Sequence, residues 1–398
     1  VHAARAGSPR SLLRKTLIVG QVALSLVLVA GALLFGRSFW NARNQELGFA
    51  TNNRLVVQVG LSDLDYEAEQ AKFFVRQALD RVRQIPGVQG AALTRMIPFQ
   101  GDWTGEYDAP AGARANFETD QIRTGMNAVS SDYFDVAGIP IVRGRPLGAE
   151  DIDGATVSIV INEALAKDVW PGQDPLGRTL AFSDDDALVV VGVARTATYY
   201  ELGEQPTPQT YVSMERWPQR SAHFLIHTAG QPTDMLPVVQ TALREIEPRI
   251  VFRWITTMES VFEQEIGRYE VSAVLVAVFG AIALMLASVG LYGTISFLVN
   301  RRTREIGVRM ALGAGRRRLA GEVIRSGLRL VLAGMALGLV GTVALRRFTE
   351  SFLFGIGPDD PVPIFGACAV LLVAAFSATF APARRATRVD PMVAMREE

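Results

Sequence analysis

The 398-residue chain carries few groups able to do covalent or metal chemistry. Its histidines are His2, His223 and His227, and its single cysteine is Cys368. His223 and His227 stand four apart and can share a strand face, but FLIH between turns reads as ordinary sheet. No His-Glu-x-x-His, Cys-x-x-Cys or Gly-x-Ser-x-Gly pattern occurs. Asp184, Asp185 and Asp186 lack the spaced ligands and closing glutamate of a calcium loop, so they read as a solvated turn. The lysines are Lys15, Lys72 and Lys167, and none follows a glycine. A P-loop needs that pair, because glycine amides wrap the phosphates while the lysine neutralises them. ATP hydrolysis by that route, a metal site and a bound cofactor are therefore not expected of this chain. Any ATP-driven work would fall to a separate polypeptide carrying ATP and Mg.

The most distinctive stretch is RRTREIGVRMALGAGRRR, Arg301 to Arg318, lying between long apolar runs. Val271 to Asn300 and Leu330 to Leu345 hold no charged residue. Two further uncharged runs are Thr16 to Gly36 and Pro361 to Ala383. A bilayer core takes about 20 apolar residues as helix, so four spans are expected, at 16–36, 271–300, 327–345 and 361–383. The third needs Arg329 to snorkel. The first, with Ala30-Gly31-Ala32 inside it, is longer than the about 7–15 apolar residues of a signal peptide and reads as a retained anchor.

Zero net charge conceals a strong asymmetry. Ser38 to Glu270 holds 32 acidic and 20 basic residues, whereas the remainder holds 8 and 20. The basic excess gathers before the first span, over Arg301 to Arg329, and after the fourth. By the positive-inside bias, residues 1–15, the 301–326 segment and the 384–398 tail face the cytosol, and the acidic domain lies outside. Because each arginine cluster abuts an apolar run, the basic loop reads as a membrane flank, and no nucleic-acid partner is expected. With Cys368 inside the fourth span, the outer domain has no disulfide and must stand on its own core.

Within that outer domain, residues 37–257, two similar units appear. A strand at Arg54–Gly60, a helix at Glu67–Gln84 and a strand at Val88–Leu93 form the first. A strand at His223–His227, a helix at Met235–Glu247 and a strand at Ile250–Ile255 form the second. They predict a split βαβ sandwich over 37–97 and 210–257, interrupted by a β-rich insert at 98–209 with a short helix at Glu163–Val169. The fold class is thus an α-helical membrane protein with a large α+β extracytoplasmic domain between its first and second spans.

Thr257 to Asn300 contains no proline, so one helix can run through it, with 258–270 as a stalk outside the bilayer. A hydrophobic helix followed by a loop is the alternative. Gly334-x-x-x-Gly338, with Gly341 a turn on, suits close helix approach, either to a second copy or within one chain. Gln21 and Ser25, four apart on the first span, are placed to bond across to a neighbouring helix.

These residues together resemble MacB/FtsX-type ABC transporter permeases, of the type VII ABC fold. The resemblance rests on REIGVRMALGA before a third span, the tail PARRATRVDPMVAMREE, and the outer segments SSDYFDVAGIPIVRGRPL, VINEALAKDVWPGQDPLGR and VVGVA. IVGQVALSLVLVAGALLFGRSF and GLYGTISFLVNRRTREIGVRMALGA are most similar to the C-terminal half of duplicated, ADOP-type members. The resemblance implies that 37–257 is a MacB-like periplasmic core domain and 271–398 an FtsX-like permease domain. It assigns Arg304, Glu305, Ile306, Gly307, Arg309, Met310, Ala311, Leu312 and Gly313 to a cytosolic coupling segment seated on an ABC ATPase. A helix over Thr303–Leu312 presenting Ile306 and Met310 among arginines suits that role, although a basic helix lying on anionic lipid has the same pattern.

The implied activity is mechanotransmission. ATP turnover in a partner closes two permease halves or copies in a bacterial inner membrane and moves the outer domain, for efflux and with a possible periplasmic adaptor. An FtsX-like or lipoprotein-handling signalling subunit, or a motor-less membrane-anchored receptor, are the alternatives.

Overall fold

The computed structural model describes residues 9–61, 64, 66–108, 121–151, 157–181, 187–216, 221–301, 309, 315–345 and 360–386. In chain order, α1 (Pro9–Arg43) is followed by β1 (Arg54–Gly60), α2 (Ala68–Arg83) and β2 (Val88–Thr94). Next come β3 (Thr104–Asp108), β4 (Gln121–Val129), α3 (Tyr133–Ala137) and β5 (Ile141–Gly144). Then follow β6 (Val157–Asn162), α4 (Glu163–Val169), β7 (Thr179–Ala181), β8 (Ala187–Ala194) and β9 (Gln209–Ser213). β10 (Ser221–Thr228), α5 (Pro232–Ile246) and β11 (Phe252–Thr257) lead to the helices α6 (Met258–Arg301), α7 (Arg316–Ala344) and α8 (Pro361–Ala386). The chain divides into two compact units, Gln45–Ile266 and the combination of Val1–Asn44 with Gly267–Glu398.

In the Gln45–Ile266 unit, the first helix forms where apolar residues recur every three or four positions. Phe74, Ala78, Leu79 and Val82 of α2 are buried against the sheet, as its periodicity predicts. The α2 N-terminus is closed by a capping box between Glu67 and Gln70. Pro86 and Gly87 then turn the chain, with Gly87 at φ +92, a conformation open to glycine. α5 starts on Pro232 and buries Val239, Ala242 and Leu243. The two helices cover one face of four antiparallel strands ordered β11-β1-β10-β2. Each βαβ unit therefore has its two strands separated by a strand of the other, which is the expected split arrangement.

The insert is more specific than a β-rich subdomain. β4 pairs with β3, β3 with β7, β7 with β8, β8 with β6, β6 with β9, and β9 returns to β4 in parallel. The ring closes, so these strands form a small barrel without an open edge along that circuit. Tyr107, Ile122, Ile159, Ile161, Leu188 and Val212 belong to its buried core. β9 falls almost wholly past the expected insert boundary at 209, because all five of its residues are buried and the strand shows no alternation to read. α4 is capped by Asn162, whose Oδ1 accepts from the amides of Leu165 at 2.9 Å and Gln209 at 3.0 Å.

A buried polar core ties the barrel to the four-stranded layer. Thr94 of β2 pairs with Val129 of β4. Beside it, fully buried Asn127 accepts from Thr94 Oγ1 and the Met96 amide, each at 3.1 Å, and donates to the Met96 carbonyl at 2.9 Å. It donates also to the Tyr199 hydroxyl at 3.2 Å, and Tyr199 meets Tyr133. Satisfied on every side, such a network fixes one register between layers.

Asp151, 3% exposed, closes the loop ahead of β6. It accepts from Arg145 Nη1 at 2.6 Å, Arg145 Nη2 at 2.8 Å and the Gly148 amide at 2.7 Å. The Arg145 guanidinium holds its carboxyl down at about 2, against the opposing effect of burial. A depressed carboxylate contributes stability above its ordinary value and loses it as pH falls through the folded value. Asp151→Asn should therefore melt earlier than wild type at pH 7, by up to about 2 kcal/mol of stability. The gap should close between about pH 4 and pH 2, as measured by thermal melts across that range.

Candidate functional site

The helical unit is assembled around α1. The core holds Ile18, Val22, Leu26, Val29 and Ala30 of α1 with Leu291 and Ile295 of α6, Val331 and Met335 of α7, and Leu371 and Ala375 of α8. α1 has 44% of its apolar window buried, against 22–28% for the other three, which makes it the central helix. Many other large apolar side chains are exposed, among them Phe279, Met285, Val340, Phe365 and Val373. Exposure on that scale suits a lipid surround. Among the described residues, four helices are long and apolar enough to cross a membrane: Leu13–Arg43, Met258–Asn300, Gly321–Ala344 and Pro361–Pro382.

The glycines set the closest approach. A Cβ at Gly334 would stand 2.7 Å from Val22 Cβ and 2.9 Å from the Val19 carbonyl oxygen. One at Gly338 would stand 2.9 Å from both the Ala23 carbonyl oxygen and Leu26 Cβ. Gly341 is looser, with Val27 Cγ2 at 3.2 Å. All three contacts are with α1 of the same chain, so of the two partners left open by the motif, the structure places an intrachain one here. Without side chains, the α7 backbone settles against α1 at van der Waals distance.

Ser25 is buried, and its Oγ donates toward the Gln21 carbonyl at 2.8 Å and the Ala283 carbonyl of α6 at 2.9 Å. Gln21 lies against Gly290 of α6, where a Cβ would meet its Oε1 at 2.8 Å. At one end of α1, Arg14 sits over the Phe297 ring at 4.5 Å. At the other, Arg37 pairs with Asp360 at 3.2 Å. α6 and α8 thus run antiparallel to α1 and α7 runs parallel to it, as successive spans require.

Of the coupling segment, Arg309 alone lies among the described residues, and its Nη1 pairs with Glu322 of α7 at 3.3 Å. Arg304, Glu305, Ile306, Gly307, Met310, Ala311, Leu312 and Gly313 fall outside them, as do Asp184–Asp186 and the 387–398 tail. α7 begins at Arg316, so residues 316–326, expected in the cytosolic segment, are the first turns of the third span's own helix. Lys15, Arg309, Glu322 and Arg329 line a cavity of about 330 Å³ floored by Ile295, Val299 and Leu330. α6 is one helix of 44 residues, about 66 Å at 1.5 Å per residue, which takes in the proposed stalk.

Four membrane-length helices, with a large α+β domain between the first and second, define a multi-span membrane protein built around an intercalated domain. Residues 16–246 match the family model of the MacB-like periplasmic core domain, and 277–391 match that of the FtsX-like permease C-terminal region. The chain belongs to the MacB/FtsX-type ABC transporter permeases. The macrolide export ATP-binding/permease protein MacB of Agrobacterium fabrum is 24% identical over 70% of this chain and 44% of its own length. That of an Azoarcus species is 26% identical over 74% of this chain and 45% of its own length. The chain thus spans about half the length of the curated relatives it matches. The periplasmic region of MacB from Actinobacillus actinomycetemcomitans matches at a TM-score of 0.38 and 14% identity, over 56% of this chain and 97% of that one.

The α1–α7 contact makes a graded prediction. Gly338→Ala should destabilise the detergent-solubilised protein by about 1–3 kcal/mol, because its methyl meets α1 backbone. Gly341→Ala, meeting a movable valine tip, should cost well under half as much. Melting temperatures of the two variants, measured side by side, check the order.

Proposed function

We propose that this chain is the permease subunit of a MacB-like ABC transporter and works by mechanotransmission. ATP turnover in a separate cytosolic ATPase would be felt at Arg304–Gly313 and passed along α6 and α7 to the large domain outside a bacterial inner membrane. The observation that carries the reading is the match of the FtsX-like permease model across α6, the arginine segment, α7 and α8. Three physical features support it. α6 is continuous from Met258 to Arg301, so displacement at one end has a stiff path to the other. The arginine excess sits at the end expected to face the cytosol. Arg309 is held to α7 through Glu322, so a push on the segment reaches a second span directly.

Two such halves, from a second copy or a sister half, would close together on ATP binding, and efflux is the favoured outcome. The curated relatives carry the name macrolide export proteins, which favours export over signalling as the work done. A periplasmic adaptor is the fitting outer partner for such a cycle.

The test is co-purification of the ATPase with the permease. Ile306→Asp combined with Arg309→Glu should abolish recovery of the ATPase while leaving membrane insertion intact. Unchanged recovery would remove the coupling assignment. Independently, a cysteine at Met310 should react with a membrane-impermeant thiol reagent only after the cells are opened, and labelling of intact cells would invert the topology.

A further inference from the structure

At the arginine-rich end of the helical unit, α1, α6 and α7 enclose a cavity of about 330 Å³ that the coupling scheme leaves unused. That volume falls in the about 300–1,000 Å³ range of small-molecule sites. Its lining is divided. Ile295, Leu298 and Val299 of α6, with Leu319 and Leu330 of α7, make the apolar part. Lys15, Arg309, Glu322, Ser326 and Arg329 make the polar part.

The cations fix the depth of the cavity. Lys15 is the last charge on α1 before the uncharged run Thr16 to Gly36. Arg329 is the last on α7 before the uncharged run Leu330 to Leu345. α1 and α7 lie side by side in parallel, Gly334 against Val22 and Gly338 against Ala23 and Leu26, an offset that brings Arg329 level with Lys15. Ile295 and Val299 stand within about two turns of the end of α6 at Arg301. On the exposed face of α7 the chain passes from Arg325 to Arg329 to Leu332, side chains about a turn apart, so charge gives way to apolar surface here. In a bilayer crossed by these helices, that transition is the boundary between headgroups and acyl chains.

Charge selects the occupant. Three cations and one carboxylate leave the lining net positive, and the carboxylate is already engaged, since Glu322 pairs with Arg309 at 3.3 Å. Lys15 and Arg329 are exposed, and neither forms an ion pair with a described residue. Two accessible cations on one level of a concave site call for an anion. Lysine brings three donors and arginine a planar fork, and both suit the oxygens of a phosphate. Ser326 Oγ donates to the Val323 carbonyl at 2.7 Å, which leaves its oxygen able to accept from a headgroup hydroxyl. The apolar part of the lining suits the first methylenes of an acyl chain, which a soluble anion does not carry. Basic pockets between membrane helices hold phospholipid headgroups in this way. We propose that the cavity binds one phosphatidylglycerol-type anionic phospholipid of the adjoining leaflet, its phosphate held by Lys15 and Arg329 and its headgroup glycerol turned toward Ser326.

The proposal rests on the helices crossing a bilayer and is indifferent to whether an ATPase drives the chain. Its test is native mass spectrometry of the full chain, delipidated in neutral detergent and titrated separately with dioleoylphosphatidylglycerol and dioleoylphosphatidylcholine. One phosphatidylglycerol should bind saturably, about tenfold more tightly than phosphatidylcholine, and inorganic phosphate at about 10 mM should not displace it. Lys15→Gln and Arg329→Gln should each remove most of the preference, while Lys15→Arg keeps it. Arg318→Gln, an equal charge change on α7 outside the lining, should also keep it. Equal affinity of the wild-type chain for the two lipids overturns the assignment, whatever the variants do. So does a preference that survives both cavity variants, or one that Arg318→Gln removes as fully as they do. Displacement by inorganic phosphate overturns it as well, because the site is then one for a soluble anion.

Discussion

The helical unit depends on the close approach of α7 to α1. In lipid there is no hydrophobic gain from bringing two apolar helices together, so association rests on how tightly their surfaces fit. Gly334 and Gly338 let the α7 backbone reach the carbonyls of Val19 and Ala23, and α1 then offers its other faces to α6 and α8. Ser25 adds a polar tie to the Ala283 carbonyl that no lipid tail could replace. Once α1 is fixed as the central rod, the outward side chains of the other three follow as the lipid-facing shell.

The domain between the first two spans solves a different problem. Without disulfides it must hold two layers in register by packing and hydrogen bonds alone, and it does so at Asn127, whose side chain meets β2, the following turn and Tyr199 at once. The closed barrel leaves no row of unpaired amides along its circuit. Both parts therefore stand as folded bodies, and the polar groups they bury are largely answered within the chain. The exceptions include His223 and the Gln209 amide group, which gives those positions their interest.

Much of this was legible in the residues. α2 shows a clear three-to-four spacing, β1 and β2 sit where the apolar run RLVVQVG and the Pro86-Gly87 turn put them, and the spans stand out by length and absence of charge. The recurrence of one strand–helix–strand pattern revealed the split layer. Barrel closure was hidden, because it depends on parallel pairing of β4 with β9, strands far apart in the chain, one of them uniformly buried. The glycine pattern announced close packing without naming its partner. The row of Gln58, His223 and Trp254 was hidden for the same reason as the barrel: these residues become neighbours only through register.

β1 and β11 are adjacent and antiparallel, with Leu55 opposite Thr257, so the intercalated domain receives and releases the polypeptide at the same corner. A module with its two ends side by side resembles a cassette on a single clip. Exchanging it for another would ask of the flanking chain only that its two ends leave side by side.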